Sequence, residues 1–351
     1  MGNRARSIEF SSRRLNTFDY ESRILIHPLA KIRVRPKISR ALKLEDLIDM
    51  DNPGAVFSEV CRIASLIYPD LALDPLKTAF EHTLELFRGK FPGYRECNIL
   101  YHDLKHTTDC LLAMARLLHG AFLGGKCISP DNLLLGLVFA ILHDTGYIQK
   151  SDELPGTGAQ FTLSHVERSI AFLEVYTNTH EIPGMDFQAA SNCLRCTGLD
   201  TRIDRIDFEN DEQELLGKAL AAADLVGQMA DRTYLERLPF LYREFREGGV
   251  PGFENEFELI RKTPGFWEFI DDRLANALGG VDSFMIEHFR TRWGIDSDLY
   301  RVAIEGNIRY LKFLITYHES DYRQFLKREN MMEKLTQIEA ADALRSYRSP
   351  E

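Results

Sequence analysis

LLLGLVFAILHDTGYI (133–148) is ten apolar or small residues closed abruptly by a histidine, an aspartate, a threonine and a glycine. The apolar part, LLLGLVFAIL (133–142), is far shorter than the roughly 20 residues needed to span a bilayer. It reads as a helix packed inside a globular core. A His-Asp pair at the end of such a helix is costly unless it is paired or meets a cation. Adjacent imidazole and carboxylate groups can reach one ion together, with the carboxylate left free to bridge to a second. The plainer alternative is an exposed helix end where Asp144 serves as a cap.

Outward from this run the pattern stays helical. Apolar residues recur three and four apart in 55–68, 75–87, 98–120, 132–144, 161–176, 213–229 and 308–318. Asp74 before Pro75 reads as a cap, and Ser129-Pro130-Asp131 opens the next helix. The expected fold is all-α, a multi-helix bundle over 44–351, with loops at 145–160 and 248–265 as candidate site edges. Residues 1–43 differ: they hold eleven Lys/Arg against three Asp/Glu and short alternating stretches broken by proline. They read either as an extended N-terminal arm docking on the acidic body or as a basic tail. Helices in 297–347 could pack on the body or join a homodimer.

The chain has 351 residues and a formal net charge of −10, with 27% charged and 11% aromatic residues. This balance argues against a general nucleic-acid binder and against adhesion to an anionic membrane. The start has no apolar signal-peptide core, and Arg6 breaks the myristoylation pattern after Met-Gly. Reduced thiols in the cytoplasm are therefore expected for the six cysteines. Cys193 and Cys196 form a lone CxxC, read as two half-buried thiols on a helix.

Three features carry chemistry. His102 and His106 stand four apart in the 98–120 pattern, which puts both imidazoles on one helix face. His143-Asp144 ends the apolar run. Asp224 sits in the small, apolar stretch LGKALAAADLVGQM, where a carboxylate should need a cation. Ala221 to Ala223 beside it would let helices approach closely. Asp231, beside Arg232, reads as surface.

The order His…His-Asp…Asp resembles the HD-domain metal-dependent phosphohydrolases. Tyr101-His102-Asp103-Leu104-Lys105-His106-Thr107 is similar to the Tyr-His-Asn-x-x-His-Ala motif of class I 3′,5′-cyclic-nucleotide phosphodiesterases. His106 and His143 are 37 residues apart, much the separation that family uses. Ser164-His165, the segment 223–245 and KTPGFWEFI (262–270) resemble later motifs of the same family. The resemblance covers roughly residues 75–290.

The resemblance implies a phosphodiesterase-like bundle with His106, His143, Asp144 and Asp224 as ligands of a first metal. Asp144 would bridge to a second, mostly water-ligated one. His102 would be the general acid, and His165 would lie near the second ion's waters. Tyr101, Thr263 and Phe266 would line the substrate pocket, with Phe266 clamping a base. Two divalent cations are implied: zinc, iron or manganese first, and magnesium or manganese second. Together they would generate hydroxide from a shared water at neutral pH, and an imidazolium would protonate the leaving alkoxide. Asp103 replaces the family's Asn. Thr263 replaces the glutamine that grips the purine edge and is too short for a two-point contact. The stretch from His165 to Asp224 is also shorter than in the family.

The expected activity is hydrolysis of a small phosphate ester, either a 3′,5′-cyclic nucleotide or another substrate such as a nucleoside monophosphate. A second reading keeps the fold and the metal in a non-catalytic sensor or scaffold. A zinc peptidase is a remote third, because HDLKH (102–106) lacks the glutamate base of HExxH and leaves His143-Asp144 unexplained.

Overall fold

The computed structural model describes residues 42–348. The arm expected over 1–43 therefore lies outside the described residues, apart from its last two positions. Among the described residues the chain forms thirteen α-helices joined by turns and short 3-10 segments, with no strand. No described helix is long and apolar enough to cross a membrane.

The first five helices are α1 (Leu44–Leu47), α2 (Pro53–Ile67), α3 (Asp74–Phe87), α4 (Leu104–Leu123) and α5 (Pro130–Leu142). The starts of α2 and α5 follow from capping. Asn52 accepts the N–H groups of Gly54 and Ala55 ahead of α2, and Ser129 accepts that of Asn132 in α5. Proline is the first residue of both, where its missing N–H costs nothing. In α3 the cap position falls to Leu73, and Asp74 is already helical. There its carboxylate faces the positive end of the helix dipole instead.

The chain continues through α6 (His165–Thr177), α7 (Phe187–Arg195), α8 (Asp211–Ala230), α9 (Tyr234–Glu247) and α10 (Glu256–Ala275). It closes with α11 (Met285–Trp293), α12 (Leu299–Tyr317) and α13 (Met331–Arg348). The late helices pack on the body: α12 lies against α8, α10 and α11, and α13 against α9.

The centre is the pair α4–α8, the most extensive helix contact in the molecule. Around it α2, α5 and α11 cover α4, while α7 and α12 cover α8. Every residue of α4 from His106 to Ala121 is buried, as is every residue of α5 from Leu133 to Leu142. Each large apolar side chain of α5 contributes about 1.5–3 kcal/mol by leaving water. The α4–α8 approach is close because α8 presents small residues. A Cβ on Gly227 would meet the α4 backbone at Asp109 and Cys110 at 3.3 Å. The buried Ala221–Ala223 run lies on the same helix.

Three local expectations are corrected. The helix read from residue 98 starts at Leu104, because Asp103 is extended and caps it. His102 thus lies ahead of the helix and does not share a helical face with His106. The segment 248–265 is not all loop: α10 begins at Glu256 and carries Pro264 inside it. Cys193 and Cys196 are fully buried rather than half-buried, their thiols donating to the carbonyls of Gln213 and Asn192. Burial pushes both thiols up, Cys196 to about 12, so they stay neutral.

Candidate metal centre

Three helices deliver four donor groups to one place. Asp103 caps α4 by accepting the N–H of His106 at 3.0 Å, which fixes His106 in the first turn. Helix α5 delivers His143 as its last residue in helical conformation, and at Asp144 the chain turns away. Helix α8 presents Asp224 from its alanine-rich stretch.

His106 Nε2 lies 3.1 Å from Asp144 Oδ2 and 3.1 Å from Asp224 Oδ1. His143 Nε2 lies 3.4 Å and 3.6 Å from the same two oxygens. His106, His143 and Asp144 each offer an atom within 4.8 Å of the others, a cluster that could hold a metal ion. The separations suit one. Ligands about 2.1 Å from a cation stand about 3.0 Å apart along an octahedral edge and about 3.4 Å apart in a tetrahedron. Despite this proximity, His106 Nε2, His143 Nε2 and Asp144 Oδ2 are buried and make no well-directed hydrogen bond. These three atoms face one another at close range without pairing off, as a ligand set does, and His106 Nδ1 is also buried without a hydrogen-bond partner.

The tautomers agree. His143 Nδ1–H donates to the Ala140 carbonyl at 2.8 Å, and His165 Nδ1–H donates to Thr162 at 2.7 Å. Each bond leaves the Nε2 lone pair facing inward. His165 Nε2 is 4.0 Å from Asp144 Oδ1, so the two oxygens of Asp144 face different histidines.

With protons as the only cations, the cluster holds them tightly. Burial opposes charge on His106, yet Asp144 and Asp224 outweigh it and raise its pKa to about 9. Burial likewise opposes charge on His143, but Asp144 beside it keeps the imidazole protonated well above the usual range. Burial would raise both carboxylates; the two imidazoles instead hold Asp144 and Asp224 well below the usual range. A divalent ion entering here must displace those protons. His165 goes the other way: burial and the neighbouring His102 lower its pKa, so it is neutral near pH 7.

His102 stands beside the cluster, its ring 5.5 Å from that of His106. Its Nδ1 donates to Glu244 Oε2 at 2.7 Å. Glu244 Oε1 also accepts the backbone N–H groups of Leu100 and Tyr101, at 3.0 and 2.7 Å. Tyr147 stacks under both flanking histidines, 4.5 Å from His102 and 4.5 Å from His165. The two imidazoles are only 6.3 Å apart.

Glu244, Tyr147 and Gln228 are the residues sequence reasoning missed. Gln228 donates to Asp224 Oδ1 at 3.3 Å and accepts the Tyr101 hydroxyl at 2.8 Å. Tyr101 is therefore buried and engaged by protein, where a pocket-lining role was expected. Thr263 is buried too, and its hydroxyl donates to Leu259 within α10. Phe266 meets Phe269 on the same helix, with ring centroids 6.3 Å apart. Among the described residues no hydrogen bond, ion pair or ring contact joins Thr263 or Phe266 to the His/Asp cluster. Asp231 is not surface: it is buried, 3.6 Å from Lys105 and 3.8 Å from Arg237.

A family model described as Npun_R2479-like matches residues 150–283. That span is less than half of the chain. It includes His165, Asp224, Gln228 and Glu244 and leaves out His106, His143 and Asp144. Searches of curated proteins and of solved structures return no match.

Proposed function

We propose that the chain is a metal-dependent phosphohydrolase of the HD type that cleaves a small phosphate ester. The observation that carries this is the convergence of His106, His143, Asp144 and Asp224 at ligand-to-ligand spacing, with buried lone pairs left unpartnered. Those four side chains would hold a first divalent cation, and the outer oxygen of Asp144 with His165 would face a second. Bound there, divalent cations acidify water and neutralise phosphoryl charge.

The remaining work falls to the protein. His102 has its Nδ1 fixed by Glu244, so its Nε2 is the end free to give a proton to a departing alkoxide. Glu244 supports the charged imidazole while the proton is held. Neutral His165 offers a lone pair for orienting a hydrogen-bonded oxygen. Tyr147 packs against both rings and restricts their rotation. Helix α10 offers no grip on a nucleobase at Thr263, so a 3′,5′-cyclic nucleotide and a nucleoside monophosphate or similar ester both remain candidate substrates. The Thr263 hydroxyl is committed to its own helix and is not available to a base.

A metal-replete screen tests the reading. Its substrates are bis-p-nitrophenyl phosphate, cyclic nucleotides, nucleoside monophosphates and guanosine tetraphosphate. Metal-dependent turnover of at least one is expected, lost together with bound metal in Asp144→Ala. Bound metal without turnover of any ester would instead favour the sensor or scaffold.

A further inference from the structure

We infer that Tyr101 and Gln228 are positioning residues that set the orientation of Asp224, and hence the affinity of the centre for its ion. The inference rests on the functional reading above and extends it from the ligands to the groups that aim them.

Gln228 lies one helical turn after Asp224 on α8, so its amide reaches back to the carboxylate. Its Nε2 donates both to Asp224 Oδ1 at 3.3 Å and to the Asp224 carbonyl at 3.2 Å. Its Oε1 accepts the Tyr101 hydroxyl at 2.8 Å. This chain of bonds has one workable direction. An ionised carboxylate only accepts, so the amide nitrogen must face Asp224. The amide oxygen must then face Tyr101, whose hydroxyl has to donate. Burial holds the Tyr101 phenol well above its ordinary pKa, so the proton it donates stays in place.

Tyr101 is itself immobilised. Its N–H donates to Glu244 at 2.7 Å, and its carbonyl accepts from Arg237 at 2.8 Å. Arg237 also pairs with Asp103 at 2.6 Å, the residue that caps α4 ahead of His106. One short segment, 101–103, thus ties together the partner of His102, the cap behind His106 and the amide behind Asp224. A rigid phenol in a bonded path is suited to aiming a ligand and not to gripping a substrate.

Asp224 needs such help more than the others. Its side chain is 15% exposed, against 4% for Asp144. A partly exposed carboxylate has more room to rotate away from the ion, and groups that orient ligands typically change metal affinity about 10- to 100-fold.

The test is a double-mutant cycle read by Mn2+ and Zn2+ affinity of the full chain, measured by chelator competition, with circular dichroism and melting as checks on folding. Gln228→Leu should weaken binding about 10-fold or more, and the milder Tyr101→Phe by a smaller factor. In the double variant the Tyr101 change should add nothing, because its only route to Asp224 has gone. Wild-type affinity in both single variants, or additive losses, would overturn the inference while leaving the metal centre intact. A wild-type chain that takes up neither ion would remove the functional reading and this inference with it.

Discussion

Glu244 follows His102 by 142 positions in the chain, yet the two side chains meet at 2.7 Å. Glu244 also takes two backbone N–H groups, so it holds the segment as well as the imidazole. Glu244→Gln keeps one oxygen for the backbone but turns an N–H toward His102 Nδ1, which removes support for the charged ring. Turnover of esters with alkoxide leaving groups should fall about 100-fold, with p-nitrophenyl esters much less affected and metal content unchanged. Equal losses on both substrate types would rule out a proton-transfer role for the pair. Three of the four converging ligands are legible in the sequence because they break a local rule: the His143-Asp144 pair ends a buried run, and Asp224 interrupts alanines. Glu244 breaks none. In FLYREF (240–245) it looks like any solvated helix charge, and only the tertiary fold brings it to His102. Asp231 misleads for the same reason: beside Arg232 it reads as surface, while its partners Lys105 and Arg237 arrive from elsewhere.

At the scale of elements, the 3-10 turn Thr145–Tyr147 is locked to α6. The Gly146 N–H donates to Ser169 Oγ at 2.9 Å, and its carbonyl accepts from Arg168 at 2.7 Å. A Cβ at Gly146 would fall 2.0 Å from the His165 carbonyl oxygen and 2.8 Å from the Ser169 nitrogen. Neither is a side chain that can swing away. Gly146→Ala must therefore push α6 off the turn, at a cost of about 1–3 kcal/mol. A clearly lower melting temperature is expected, and one equal to wild type would show that α6 slides freely. Apolar spacing marks seven of the thirteen described helices, whereas α10 begins inside a stretch that reads as loop, and helix ends are legible only where the cap is unambiguous. Ser129 reads as a cap and is one. Asp103 carries the same residue-type signal, but the two histidines around it suggest a longer helix, which would put His102 on a face it does not occupy.

For the whole molecule, the His/Asp cluster doubles as a clasp between α4, α5 and α8. His106 has its folded pKa raised to about 9, above the ordinary value of 6.5. Its pairing therefore stabilises the ion-free protein fully below about pH 6.5, and that contribution disappears as pH climbs toward 9. Asp144 is shifted the other way, so its share is present above about pH 4 and is lost only under stronger acid. The proposed ion would bind the deprotonated histidines, so its contribution should grow with pH while the proton's shrinks. At 100 times its dissociation constant it is worth about 2.7 kcal/mol. Melting curves with chelator and with Mn2+ between pH 6 and 9 should diverge steadily, and a constant gap would contradict the paired-histidine picture.

In the proposed centre, two imidazoles and two carboxylates would also make an undiscriminating trap. Such donors generally prefer nickel and copper to manganese or iron. Polypeptide purified over an immobilised-nickel resin would leave it carrying the resin's ion, and elemental analysis would then record the handling of the sample instead of the choice made in the cell.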